Sequence, residues 1–233
     1  MRFTEALIPG RLVRRYKRFL SDIELQNGEV VTAHCPNPGS MMGLAESGMA
    51  VWLSRSANPK RKLPYTWELV DDGQSLVGIN TNRTNAIAAE AWQAGRIAEL
   101  AGYDALRREV PYGRNSRIDL LLDGGGRPSC YVEIKSVTLK RGSVAAEFPD
   151  SVTARGAKHL EELAVTAEAG ARAVLLFLVQ RTDCRHLEIA GDIDPVYARA
   201  FVEARGRGVA VLCYGCNVGV EAIELDKAIP LAG

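Results

Sequence analysis

Arg117-Ile118-Asp119-Leu120-Leu121-Leu122, a glycine turn through Gly124-Gly125-Gly126, and Tyr131-Val132-Glu133-Ile134-Lys135-Ser136-Val137 form the stretch that decides the fold. Two apolar strands follow one another, and each carries ionised side chains where a buried strand should hold none. A buried carboxylate costs on the order of several kcal/mol unless something pairs with it. Successive side chains of a strand point to opposite faces. Ile118, Leu120 and Leu122 should therefore share one face and Arg117, Asp119 and Leu121 the other. In the second strand Val132 and Ile134 oppose Tyr131, Glu133, Lys135 and Val137. Glu133 and Lys135 then project together, about 6–7 Å apart by the rise of a strand. If the strands pair as a hairpin, Asp119 approaches Glu133. Neighbouring carboxylates repel, and they stay ionised together when a divalent cation lies between them. All-oxygen ligation suits Mg2+ or Mn2+. The expected centre is thus Asp119 and Glu133 as metal ligands, with Lys135 as a catalytic cation that positions a water or offsets charge on a phosphate. The competing reading is a buried ion pair of Lys135 with Glu133 or Asp119.

Upstream, residues 84–101 fit a helix closed by Gly102. Ile87, Glu90, Ala94 and Ile97 would form one stripe of it, which makes Glu90 either a third metal ligand or a side chain snorkelling at the stripe edge. Leu106–Tyr112, Arg117–Leu122 and Tyr131–Leu139 read as strands, and 151–169 as a second helix. Residues 171–179 are continuously apolar, as in a sheet covered on both faces. Pro195–Arg205 reads as a third helix, and Val209–Tyr214 with Val218–Leu225 as the last strands. The sum is an α/β (α+β) domain with a mixed sheet of about five or six strands flanked by helices.

The first 80 or so residues differ: short strands with turns at Arg11–Phe19, Ser21–Gln26, Glu29–His34, Met49–Arg55, Pro64–Val70 and Gln74–Asn80. They suggest a small barrel of oligonucleotide-binding type. The boundary should fall in Asn80-Thr81-Asn82-Arg83, giving domains 1–82 and 83–233.

Net charge is +1, with 47% apolar and 24% charged residues, which gives no bulk signal for nucleic acid. The distribution is less neutral. Arg14, Arg15, Tyr16, Lys17 and Arg18 make a basic run with Phe19 next to it, and Lys60, Arg61 and Lys62 make another. With Arg155, Lys158 and His159 early on the second helix, these are the candidate nucleic-acid contacts. Strand alternation puts Arg14, Tyr16 and Arg18 on one face and Arg15, Lys17 and Phe19 on the other, so only half the run could line a groove. Five cysteines are an odd number, and Cys213-Tyr214-Gly215-Cys216 lacks further ligands at zinc spacing, so reduced thiols are expected. No apolar run is long enough to span a membrane and no apolar leader is evident, so the expected setting is cytoplasmic.

Ile118-Asp119, followed by Glu133-Ile134-Lys135, is similar to the PD-(D/E)xK nuclease signature, with Ile in place of its proline. The whole chain resembles the sugar fermentation stimulation protein A (SfsA) family. The resemblance rests on Arg15-Tyr16-Lys17-Arg18-Phe19-Leu20, His34-Cys35-Pro36-Asn37-Pro38-Gly39-Ser40-Met41 and Trp67-Glu68-Leu69-Val70. Further on it rests on Ser116–Asp119, Val132–Leu139, Phe148-Pro149-Asp150, Arg155-Gly156 and Lys158-His159-Leu160. It implies an oligonucleotide-binding-type barrel followed by a nuclease-like domain, and DNA binding without marked sequence preference. It also implies a regulatory link to sugar (maltose) utilisation. One departure is Ala157, where the family has glutamine. The expected partner is DNA, with RNA as the alternative, and self-association is left open. The rival function is a non-enzymatic DNA-binding regulator that keeps the centre as a relic.

Overall fold

The computed structural model describes residues 1–113, 116–142 and 144–232. Six strands build the N-terminal half: β1 (Ile8–Tyr16), β2 (Leu20–Leu25), β3 (Val30–His34), β4 (Ala50–Arg55), β5 (Tyr65–Asp71) and β6 (Leu76–Gly78). Their order is β3-β2-β1-β4-β5-β6, and a short parallel pairing of Ala33 and His34 with Tyr65 and Thr66 joins β3 to β5. That contact closes the first five strands into a barrel and removes its free edges. Leu12, Ile23, Val51, Leu53 and Trp67 fill the interior. Trp67 keeps its indole N–H satisfied by donating to the Leu69 carbonyl at 2.8 Å.

The C-terminal half is a six-stranded mixed sheet. Its strands are β7 (Ala105–Tyr112), β8 (Ser116–Asp123), β9 (Cys130–Val137), β11 (Arg172–Val179), β13 (Ala210–Val218) and β14 (Ile223–Ala228), in the order β14-β13-β11-β9-β8-β7. The central trio β9, β11 and β13 is parallel, and β7, β8 and β14 run antiparallel to their neighbours. Helix α1 (Thr84–Gln93) covers one face, packing Ile87 and Ala88 on Leu120, Val132 and Val174. Helices α2 (Ala154–Glu168) and α3 (Pro195–Gly206) cover the other, packing Leu160, Leu163, Tyr197 and Phe201 on Leu175 and Phe177. This burial on both faces explains the unbroken apolar run of β11. A parallel pair, β10 (Ala145–Phe148) and β12 (His186–Ile189), stands beside the main sheet; the sequence reading missed it because each strand is only four residues long.

Several polar contacts sew the halves together. Buried Arg181 donates to Asp72 in the turn between β5 and β6 at 2.6 Å. Gly78 N–H donates to the Gln180 carbonyl at 2.9 Å, and Thr81 Oγ1 to the Pro36 carbonyl at 2.8 Å. Asp150 accepts from the Met41 N–H at 3.2 Å. Gly39 is required in that last contact, since a Cβ there would lie 2.2 Å from Asp150 Oδ2.

Three local expectations are corrected. The first helix stops at Gln93 rather than near 101, because Gly95 adopts a φ of +68°. The first strand ends at Tyr16, because Lys17 and Arg18 turn the chain with φ of 48° and 63°. Cys213 and Cys216 belong to cores on opposite faces of the sheet, so the C-x-x-C spacing does not bring the two thiols together.

Candidate metal centre and inter-domain cleft

A cleft of about 830 Å³ opens between the halves. Asp119, Glu133, Ile134 and Lys135 line it together with Arg18, Asn37 and Gly39 of the barrel, Asn85 of α1, Arg108, Glu109 and Arg117, and Arg155 and His159 of α2.

The centre sits where two ladders break. The β8–β9 register runs through Leu120↔Val132 and stops there, and the Asp119 carboxylate takes the Ile134 N–H at 2.7 Å. On the other side Glu109, which would face Asp119 across β7–β8, adopts a φ of 54°. The break also corrects the strict alternation expected of β8: Ile118 joins Leu121 on the α2 side, while Leu120 and Leu122 pack toward α1. Asn85 Nδ2 bridges the gap, donating to Asp119 Oδ1 and Glu109 Oε1, each at 2.8 Å.

Glu133 is 3% exposed. Its Oε1 accepts from Lys135 Nζ at 2.6 Å and pairs closely with His159 Nδ1. Arg155 Nε donates to His159 Nε2 at 3.2 Å, which makes Nε2 the acceptor and leaves the ring hydrogen on Nδ1, facing Glu133. The other oxygen, Glu133 Oε2, is buried with no hydrogen-bond partner among the described residues.

The two carboxylates differ electrostatically. Burial and the charge of Glu133 push Asp119 up to about 6, against the pull of the Ile134 N–H, Asn85 and Lys135. Burial also acts to raise Glu133, but the hydrogen bond from His159 and the charge of Lys135 outweigh it and hold Glu133 below its ordinary value. Burial and the negative charges of Glu133, Glu162 and Asp119 push the nearby Tyr112 phenol up.

This donor set meets the needs of a hard dication. One buried carboxylate oxygen lacks a partner among the described residues, and burial together with the charge of that carboxylate makes the second one beside it harder to ionise. Among the described residues no group of three or more His, Cys, Asp or Glu side chains is gathered for a cation. Two carboxylates with water in the remaining positions is the kind of set that Mg2+ accepts.

Glu90 is not part of it. With the helix ending at Gln93, Ala94 and Ile97 are not on the stripe that seemed to carry Glu90 toward the core. Its side chain is 57% exposed and pairs with the Met1 amino group. Asn85 and Glu109 were not singled out in the sequence; Asn85 falls in the first turn of the stretch read as a helix, off the stripe of Ile87 and Glu90, and Glu109 in an ordinary strand.

The basic candidates separate into different roles. Arg15 donates to the carbonyls of Asn37, Gly39 and Ser40 at 3.0, 2.9 and 3.1 Å, so its guanidinium holds the barrel loop. Arg14 pairs with Asp22 at 2.8 Å and lies over the Tyr16 ring, and Tyr16 Oη donates to Asp22 at 3.1 Å. Lys17 and Arg18 sit in the exposed turn after β1, and Arg18 reaches the cleft. Lys60, Arg61 and Lys62 lie on the exposed loop between β4 and β5, away from the cleft lining, with Arg61 donating to Thr66 at 2.8 Å. Arg155 lines the cleft, Lys158 pairs with Glu162 at 3.6 Å, and His159 is buried against Glu133 instead of facing solvent.

Comparison with known proteins accords with this two-part architecture. A family model described as "SfsA N-terminal OB domain" matches residues 13–79, and one described as "Sugar fermentation stimulation protein RE domain" matches 82–222. A sugar fermentation stimulation protein homolog of Maricaulis maris is 60% identical over 97% of both chains. One of Paramagnetospirillum magneticum is 55% identical over 99% of this chain and 98% of its own. The structure of Pyrococcus furiosus SfsA in complex with Ca2+ superposes with a TM-score of 0.90, covering 100% of this chain and 98% of that one, at 24% identity; the likeness is one of fold. With both halves matched in order and relatives aligned end to end at more than half identity, the chain belongs to the sugar fermentation stimulation protein A (SfsA) family.

Proposed function

We propose that this chain binds nucleic acid, DNA first, without marked sequence preference, and cleaves phosphodiesters in the inter-domain cleft with Mg2+ or Mn2+. The observation that carries the proposal is the incompletely paired Glu133 beside Asp119, with the Lys135 ammonium alongside, on a cleft edged by Arg18, Arg108, Arg117 and Arg155. A structural ion pair has no use for a second carboxylate that repels the first. Asp119 and Glu133 would hold the dication.

Bound there, the metal would lower the pKa of a coordinated water and neutralise charge on the scissile phosphate. The chain's own groups do the rest. Asn85 and the Ile134 N–H aim Asp119, and His159, fixed by Arg155, aims Glu133 so that Oε2 stays open. Lys135 offsets negative charge as the phosphate becomes crowded. The arginines hold the backbone on either side of the bond to be cut, a contact that carries no base information and weakens as salt rises. No element of the described fold presents a helix suited to reading bases in a groove, in keeping with nonspecific binding.

A regulatory role tied to sugar utilisation without cleavage is the second reading, favoured by the direct Lys135–Glu133 pair at 2.6 Å. Among the described residues no helix is long and apolar enough to cross a membrane. The five free cysteines suit a reducing cytoplasm. Incubating the full chain with labelled single- and double-stranded DNA and RNA, with Mg2+ or chelator, separates the readings. Metal-dependent products that vanish in Lys135→Ala with binding intact support the enzyme. Salt-sensitive binding with no cleavage of any substrate supports the regulator.

A further inference from the structure

The turn Lys17-Arg18-Phe19 has an unusual construction. Two consecutive residues with long side chains hold left-handed backbone angles, φ 48° and 63°, a region in which glycine or asparagine is at ease and other residues are strained. Such a conformation persists only where the surroundings impose it, and here they do. Arg15 Nε donates to the Arg18 carbonyl at 3.1 Å, and the Cys35 N–H donates to the Phe19 carbonyl at 2.9 Å. Arg15 is itself anchored on the 37–40 loop. The backbone of the turn is thus clamped while all three side chains remain exposed.

Phe19 is 45% exposed and is the only aromatic among the large exposed apolar side chains of the described residues. Tyr16, the other aromatic of this segment, is already engaged by Asp22 and Arg14. Arg18, next to Phe19, lines the cleft that holds Asp119, Glu133 and Lys135. An exposed ring next to two cations, on a rigid backbone beside a cleft, has the chemistry that grips a single strand. The ring stacks on a base, the cations take the flanking phosphates, and rigidity spares the ordering cost. In a duplex interior both faces of each base are already stacked, so this grip discriminates by strandedness.

Building on the proposed function, we infer that the Lys17-Arg18-Phe19 turn is a strand-capture site: Phe19 stacks on an unpaired nucleobase and Lys17 and Arg18 hold its phosphates, feeding a single strand to the cleft. The test is binding of the full-length protein, in chelator, to a fluorescein-labelled oligothymidylate, to the same oligomer with abasic positions, and to a duplex of equal length. Phe19→Ala should weaken binding to the plain strand about tenfold, the loss of one stacked base. Phe19→Trp should restore it, and the indole emission should quench on binding. Wild type should bind the abasic strand and the duplex no better than Phe19→Ala binds the plain strand. Equal affinity of Phe19→Ala and wild type for the plain strand overturns the inference, as does equal wild-type affinity for plain and abasic strands; both leave the cleavage reading standing. If wild type binds no nucleic acid at all, the proposed function falls and takes this site with it.

Discussion

Glu68 and Glu133 are both almost fully buried, at 1% and 3% exposure, and the fold treats them in opposite ways. Every oxygen of Glu68 is satisfied. Oε1 accepts from Ser54 at 2.6 Å and Arg83 at 2.7 Å, and Oε2 from Asn80 at 2.7 Å and Arg83 at 3.2 Å. The pairing with Arg83 is bidentate, the geometry that best repays desolvation. Glu133 has two donors crowded on one oxygen, none on the other, and a carboxylate neighbour. On the proposed function, the difference would separate a carboxylate that holds a structure from one that takes a ligand: the first is completed by protein, and the second has one oxygen that no described residue completes.

The contrast can be broken in several ways. The largest effect should come from Glu133→Gln, which keeps the shape and removes the charge. Metal-dependent cleavage should fall by about 10³-fold or more, while the urea unfolding midpoint moves little. Persistent cleavage would make Glu133 merely structural. Glu68→Ala should do the reverse, costing about 3–5 kcal/mol of unfolding free energy because Arg83 loses its buried partner. A loss near zero in the urea titration would erase the distinction. Gly39→Ala forces a methyl group against the Asp150 carboxylate, and should cost about 1–3 kcal/mol by the same measurement.

The smallest effect is on pH. Asp119 must be ionised to serve as a ligand and is pushed up to about 6, so Mn2+ affinity measured by calorimetry should weaken about tenfold per pH unit as pH falls below that value. The sign for stability is opposite. The metal-free fold binds a proton near pH 5 that the unfolded chain, with its ordinary carboxylate, has already released. The contribution of Asp119 to the stability of the metal-free protein, read as the difference between wild type and Asp119→Asn, should therefore decline as pH rises from about 4 to about 6. A pH-independent Mn2+ affinity across this window would remove Asp119 from the ligand set.

Much of the scaffold was legible because burial writes itself into periodicity. The continuous run of β11 and the charged positions of β8 and β9 could be read from sequence, and so could the clustering of turns that marks the barrel. What could not be read depends on single backbone events. Gly95 cuts α1 short and so removes Glu90 from the stripe that seemed to carry it to the centre. The break at Asp119 and Glu109 brings in Asn85, whose side chain gives no periodic signal. Arg14, Arg15 and Arg18 look alike in sequence, yet one pairs with a carboxylate, one ties down carbonyls and one lines the cleft. His159 reads as a surface phosphate contact until its ring is seen against Glu133.

The seam between the halves has a consequence for how the molecule comes apart. A cut near residue 82 would strand Glu68 without Arg83 on one fragment and Arg181 without Asp72 on the other. The barrel fragment would then carry an uncompensated carboxylate in its interior, a heavy penalty for an isolated piece, while Arg181 would be left with Asp183 as its one carboxylate partner among the described residues. Barrel and sheet should accordingly melt as one cooperative block, giving a single calorimetric peak where a loosely tethered pair would give two.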